Sequence, residues 1–219
     1  IFIIFYLYQT SAFSKATEEK DFNPKYLSNY LSAIIFKNNQ NSEDSIIHFN
    51  SSKILIDKHE EYLKKYIITL TVNNEVKKAI KVIKKNKNKN NSKFFEANLL
   101  LLIENFKKKN FYQNIKLLSK LEKYIDYDNY HFIIYEVLSS YNELFLTKGL
   151  STNQQNFGKL SLINEAFQYC YLNQTETNSK FLDLVNSHES DYSRYLFFYL
   201  NNLIKKKDYI SAIQISKTI

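Results

Sequence analysis

The feature that most limits the possible folds is a short motif that recurs along the chain. Residues 205–213 read KKKDYISAI, residues 107–115 read KKKNFYQNI, and residues 72–80 and 38–46 are looser copies. Each of the four stretches ends in isoleucine, and the residues immediately before these isoleucines are Ser45, Ala79, Asn114 and Ala212. Successive members of this set are 34, 35 and 98 positions apart. A self-similar period near 34 residues is typical of arrays of helical hairpins. The motif therefore predicts an architecture, without indicating a partner or a reaction.

Composition supports an all-α fold. The 219 residues include only two glycines and one proline, and tight β-turns depend heavily on these residues. Hydrophobic residues make up 44% of the chain, which is enough for a core and disfavours global disorder. We expect helices joined by short polar links.

The positive charge does not by itself indicate nucleic-acid binding. The net charge is +8, yet Arg194 is the only arginine, and arginine is the preferred residue for phosphate and base contacts. The lysine-rich run at residues 77–93 could contact an acidic lipid, a nucleic acid or an acidic protein. A solvated helix end is the favoured interpretation, because the helix dipole favours lysines there and no aromatic residues interleave with them.

The N-terminus is typical of an exported protein. An apolar run at residues 1–8 is followed by Ala12-Phe13-Ser14, which has the spacing of a signal-peptidase site. We predict that residues 1–14 are the C-terminal part of a signal peptide, that 15–23 form a flexible lead, and that the protein is periplasmic or otherwise exported. The run is too short to span a membrane. The alternative is an apolar first helix packed on the array, in a cytoplasmic protein.

Apolar residues at three- and four-residue spacing predict about ten helices. Residues 24–125 should form three hairpins, and residues 191–219 a further hairpin that is cut at its end. Residues 126–190 should form one or more degenerate hairpins with a longer loop at 149–159, a helix at 160–172 and a short apolar segment at 181–185. The apolar residues of the second helix extend to Leu55, which predicts that this helix continues that far.

These hairpins resemble the tetratricopeptide repeat, a 34-residue helix–turn–helix unit. The resemblance rests on small and large residues at the expected places, such as Ala33, Phe36, Ser45 and Phe49 in the first unit. No unit has the family's tryptophan, its turn glycine or its closing proline. The resemblance implies a right-handed superhelix, an α-solenoid, whose first helices line a concave groove. Neighbouring hairpins would cover one another's apolar flanks.

The resemblance also implies which side chains face that groove. They would be Tyr30, Ile34, Lys37, Lys64, Ile68, Arg194, Phe197, Asn201 and Lys205. This mixture of apolar, aromatic and cationic groups suits an extended peptide or a partner helix. Some of these side chains could instead pack on the next unit or face water.

No motif indicates catalysis or a cofactor. The four histidines are widely separated, Cys170 is the only cysteine, and neither glycine belongs to a phosphate-binding loop. We therefore predict no catalytic residues, no metal, no cofactor and no enzymatic activity.

The sequence thus favours a scaffold that captures a peptide or a partner helix. Two alternatives remain open: an RNA-binding helical-repeat protein, and a helical accessory domain of a larger enzyme. The partner's identity and the oligomeric state are not indicated.

Overall fold

The computed structural model describes residues 23–125, 130–151, 155–186 and 193–217, and these residues form an all-α fold without strands. The predicted signal peptide and nearly all of the lead lie outside the described residues. Eleven α-helices occur in the described ranges: α1 (Pro24–Asn38), α2 (Ser42–Ser51), α3 (Glu60–Val72), α4 (Val76–Lys85), α5 (Phe95–Lys107), α6 (Phe111–Leu121), α7 (Tyr130–Thr147), α8 (Lys159–Leu172), α9 (Thr177–Asn186), α10 (Ser193–Lys205) and α11 (Tyr209–Ser216). No described helix is long and apolar enough to cross a membrane.

The described residues divide into two compact units, with the boundary between Glu75 and Val76. The first contains α1 to α3 and the second contains α4 to α11. The second predicted hairpin, α3 with α4, is therefore divided between the units. The other predicted hairpins, α1–α2, α5–α6 and α10–α11, are each formed by two packed helices within one unit.

A residue with left-handed backbone closes the same type of turn after five helices. These residues are Gln40, Asn74, Lys109, Asn173 and Lys207. At the first turn the Asn41 N–H donates to the Phe36 carbonyl at 2.9 Å, and the Gln40 N–H donates to the Lys37 carbonyl at 3.1 Å. The same pair of bonds recurs at the other four turns. This is the Schellman motif, usually built on glycine, and here glutamine, asparagine or lysine replaces the glycine that the family pattern expects.

The four small or polar residues that define the period are all buried. Ser45, Ala79, Asn114 and Ala212 each lie five residues after a left-handed turn residue. The isoleucines that follow them are less uniform, because Ile46 is buried whereas Ile115 and Ile213 are largely exposed. The period is therefore set by the buried residue before each isoleucine.

An aromatic cluster forms the core of the first unit. Tyr30, Phe49, Tyr62 and Tyr66 are all buried, with neighbouring ring centroids 5.4–6.1 Å apart. Because Tyr30 lies on α1 and Tyr62 on α3, the cluster joins the first helices of two successive predicted hairpins. Aromatic pairs at such distances add to the stabilisation from burial.

Two hydrophobic clusters lie among the described residues of the second unit. One lies around Phe95, Leu102, Leu118 and Leu121 and receives partly buried side chains from α7. The other is built by α8 to α11 around Phe181, Leu184, Leu196, Tyr199 and Leu203. Phe181 and Tyr199 stack at 4.3 Å with nearly parallel rings.

The chain between α7 and α10 contains a hairpin that was predicted only in part. The short apolar segment expected at residues 181–185 belongs to a ten-residue helix, α9, which packs against α8. The turn between them uses left-handed Asn173, and Ala166 is buried seven residues earlier, as Ala33 is before Gln40. This hairpin has Asn178-Ser179 where the motif has a small residue and isoleucine, so the motif did not identify it.

The prediction that the second helix continues to Leu55 is wrong. Helix α2 ends at Ser51, and Lys53–Asp57 form a short 3-10 helix. The hydroxyl of Ser52 donates to the His48 carbonyl at 2.8 Å, and serine side chains that bind the preceding turn compete with helix continuation. Leu55 is still buried by the tighter turn.

Candidate partner-binding surface

The structure corrects the predicted role of Tyr30. Its side chain is only 4% exposed and lies 4.6 Å from the His59 ring and 5.5 Å from the Tyr62 ring, measured between centroids. The aromatic ring is therefore part of the core of the first unit. It cannot serve as an exposed anchor for a ligand without displacing that packing.

The other predicted residues of the first unit remain partly exposed. Ile34 and Lys37 lie on α1, and Lys64 and Ile68 lie on α3. The contact between the Tyr30 and Tyr62 rings connects these two helices. The first unit thus presents partly exposed apolar and cationic side chains on two helices whose aromatic rings touch.

Sequence reasoning missed an exposed apolar stripe on α1. Leu27, Leu31 and Ile35, at four-residue spacing, are all exposed, although the sequence assigned them to the apolar face of this helix. Only Tyr30 and Ala33 of α1 are buried. The sequence did contain a signal for this stripe, because α1 has more apolar residues than one buried face of a helix requires.

In the second unit the predicted residues of α10 form an exposed face. Phe197, Asn201 and Lys205 recur at four-residue spacing and are all exposed, with Phe197 at 68%. Exposure of a phenylalanine side chain to water is unfavourable. Its full burial against a partner would be favourable by about 1.5–3 kcal/mol. The side chain of Arg194 lies outside the described residues.

Phe198 extends this face and was not predicted. It is also largely exposed, and its ring lies 6.1 Å from Phe197 and 5.9 Å from Phe167 of α8. Phe167 also contacts Tyr195 of α10 at 6.1 Å. The first helices of the last two hairpins, α8 and α10, are therefore connected by aromatic contacts, as α1 and α3 are in the first unit.

Burial favours the neutral forms of three ionisable side chains in the second unit, Tyr141, Tyr199 and Cys170. Burial raises the pKa of the Tyr141 and Tyr199 hydroxyls to about 12. Burial also raises the pKa of the Cys170 thiol, and Lys206 offsets this in part. A thiol with a raised pKa is a poor nucleophile, so Cys170 has the character of a core residue.

The described residues contain no group of three or more His, Cys, Asp and Glu side chains arranged to hold a metal ion. The small polar cleft between α7 and α8, which includes Glu136, Ser140 and Gln168, has about 20 Å³ of free space. This is room for about one water molecule.

No family model, curated protein or solved structure shows a significant match to this chain.

Proposed function

We propose that the protein is a scaffold whose tetratricopeptide-like hairpins stack as an α-solenoid and bind a peptide or helix of a partner protein. The observation that supports this most directly is the exposed face of α10 formed by Phe197, Asn201 and Lys205, which Phe198 extends. Aromatic side chains surrounded by polar and cationic groups are typical of protein-binding surfaces.

The repeated local geometry supports the stacking. Left-handed turn residues and the buried residues five positions later recur in the first and last predicted hairpins. Aromatic contacts between first helices occur separately in each unit, α1 with α3 and α8 with α10. Hairpins that repeat a register in this way can cover one another's apolar flanks.

The chemistry of the α10 face indicates the type of partner segment. Phe197 and Phe198 would contact an aliphatic or aromatic side chain, and Lys205 would pair with an acidic group about two helical turns away. The proposed ligand is therefore an acidic segment with at least one large apolar residue. We also propose that the protein acts after export, on the basis of the sequence pattern in residues 1–14.

Binding to peptides selected from a random display library tests this function. Phe197→Ala and Lys205→Gln should each weaken the binding of the selected peptides by roughly tenfold, about 1.4 kcal/mol. A large effect of Phe197→Ala is expected because aromatic anchors dominate such contacts. Tyr112→Ala is the matched control, because Tyr112 is 81% exposed on α6, a second helix of its hairpin. Selected peptides that depend on Tyr112 and not on Phe197 would contradict the proposal, as would a library that yields no specific peptide.

A further inference from the structure

A cleft in the second unit brings together lysines from two separate parts of the sequence. Its volume is about 270 Å³, and four lysines line it. Lys87 and Lys93 belong to the lysine-rich run between α4 and α5, whereas Lys120 lies on α6 and Lys123 in the 3-10 turn Glu122–Tyr124. The fold therefore places two lysines of the run in the same cleft as two lysines from α6 and the turn after it.

Among the residues that the structure describes, no carboxylate neutralises the positive charge of this cleft. None of the described residues that line it is acidic. Lys93 donates to the neutral amide oxygen of Asn90 at 2.9 Å, and Lys87, Lys120 and Lys123 form no ion pair with a described carboxylate. The nearby Glu104 is engaged elsewhere, with Lys84 at 2.5 Å and Lys108 at 2.6 Å. A concave surface lined by charges of one sign attracts ions of the opposite sign.

The rest of the lining is suited to an organic group. Ile83, Ala97 and Leu101 contribute apolar surface from α4 and α5. Tyr124 also lines the cleft, and burial raises the pKa of its hydroxyl, so it remains a hydrogen-bond donor. Small-molecule sites combine apolar walls with a few polar groups in this way, with typical volumes of about 300–1,000 Å³.

We propose that this cleft binds a small phosphorylated organic molecule. The lysine ammonium groups would hold the phosphate as point charges, without the bidentate geometry that arginine would provide. The apolar wall of Ile83, Ala97 and Leu101 would contact the compact organic part. The limited volume favours a free small molecule over a polymer.

The test measures binding of two probes by calorimetry at low ionic strength. 1-Naphthyl phosphate combines a dianion with a flat apolar group, and inorganic phosphate lacks that group. We expect 1-naphthyl phosphate to bind roughly tenfold more tightly than inorganic phosphate, a difference of about 1.4 kcal/mol. Equal affinities, or no binding of 1-naphthyl phosphate, would overturn the proposal.

A pair of double variants with the same loss of charge isolates the site. The double variant Lys120→Gln with Lys123→Gln should weaken the binding of 1-naphthyl phosphate by roughly tenfold or more. Lys107→Gln with Lys116→Gln is the matched control, because both lysines are exposed on α5 and α6 and do not line the cleft. All four are surface residues, so both variants should fold, which circular dichroism verifies. Equal weakening by the two variants would assign the binding to general surface charge and overturn the proposal.

A third measurement separates a small-molecule site from a nucleic-acid surface. We expect a short single-stranded RNA to compete weakly with 1-naphthyl phosphate. An RNA that binds more tightly than 1-naphthyl phosphate, with a steep dependence on salt and the same loss in the Lys120 and Lys123 variant, would replace the proposed ligand by RNA.

Discussion

The Ser45 hydroxyl donates a 2.8 Å hydrogen bond to the backbone carbonyl of Ala33 on the preceding helix. Both residues are fully buried, Ala33 seven residues before the left-handed turn residue Gln40 and Ser45 five residues after it. Close approach of two helices requires small side chains at the point of contact. The first hairpin thus shows why the recurring residue before each isoleucine is small or polar.

This hydrogen bond should make a measurable contribution to stability. Ser45→Ala removes the donor and should lower the free energy of unfolding by about 1 kcal/mol, as measured by urea denaturation. Ser28→Ala is the control, since Ser28 is exposed on α1, and its effect should stay within about 0.5 kcal/mol. Equal effects of the two variants would show that the buried bond does not contribute.

Asn114 occupies the equivalent position in the third hairpin at a cost. It is fully buried, and neither polar atom of its amide has a hydrogen-bond partner among the described residues. An unsatisfied buried polar group costs about 1–3 kcal/mol, and alanine, which the motif has in the second and last copies, is the best helix former. Asn114→Ala should therefore raise the free energy of unfolding by about 1 kcal/mol after allowance for the smaller volume.

Urea denaturation of Asn114→Ala and Asn114→Leu checks this prediction. The leucine variant should be destabilised by about 1–3 kcal/mol, since a larger side chain would force α5 and α6 apart. A clear loss of stability in the alanine variant would mean that the amide is satisfied in solution, and the prediction would be wrong.

The left-handed turn residues offer a test of the Schellman turns. Lys207 has a φ angle of 62°, a conformation that costs an ordinary residue about 1–2 kcal/mol and glycine little. Lys207→Gly should raise the melting temperature despite the extra freedom of the unfolded chain. Lys206→Gly is the matched control, because Lys206 is also exposed and has no positive φ angle, so glycine there should lower the melting temperature. The reverse order would contradict the described turn.

Glu104 should make the stability of the second unit depend on pH. Hydrogen bonds from Lys108 and Lys84 hold its pKa below the usual value. Because the folded-state pKa lies below the unfolded value of about 4.3, the carboxylate stabilises the fold above that value. The contribution is lost as pH falls through the folded-state pKa.

The comparison of Glu104→Gln with the wild type at several pH values checks this dependence. The lysine side chains are about half exposed, so the loss at neutral pH should be about 1 kcal/mol or less. The difference between the two proteins should shrink as pH falls below about 4. Glu122→Gln, an exposed position outside α4 and α5, should show no such trend. A Glu104 effect that stays constant with pH would contradict the ion pairs.

The sequence predicted the helices and their register better than it predicted the surface. Helix periodicity predicted a helix at 160–172, and α8 spans Lys159–Leu172, because apolar spacing follows directly from the helical repeat. It could not separate Leu31 and Ile35, which are exposed, from Tyr30, which is buried, since all three are apolar and lie within six positions. Which of them is buried depends on the neighbouring helices.

The lysine-lined cleft lay beyond the reach of sequence reasoning for a related reason. The run at residues 77–93 has the pattern of a solvated helix end, and Lys85 and Lys81 are indeed exposed. Only the packing of α4, α5 and α6 brings Lys87 and Lys93 close to Lys120 and Lys123. The two pairs of lysines are separated by nearly thirty residues or more along the sequence, so the sequence alone does not indicate that they line one cleft.

Thiol labelling of single-cysteine variants tests the repeating register most directly. In a Cys170→Ser background, cysteines replacing Ser45, Asn114 and Ala212 should be protected from labelling in the native state. Cysteines replacing Ile115 and Ile213, one residue later, should react rapidly because these side chains are largely exposed. Equal labelling rates at positions 114 and 115, and at positions 212 and 213, in folded variants, would contradict the repeated helical hairpins on which the proposed function rests.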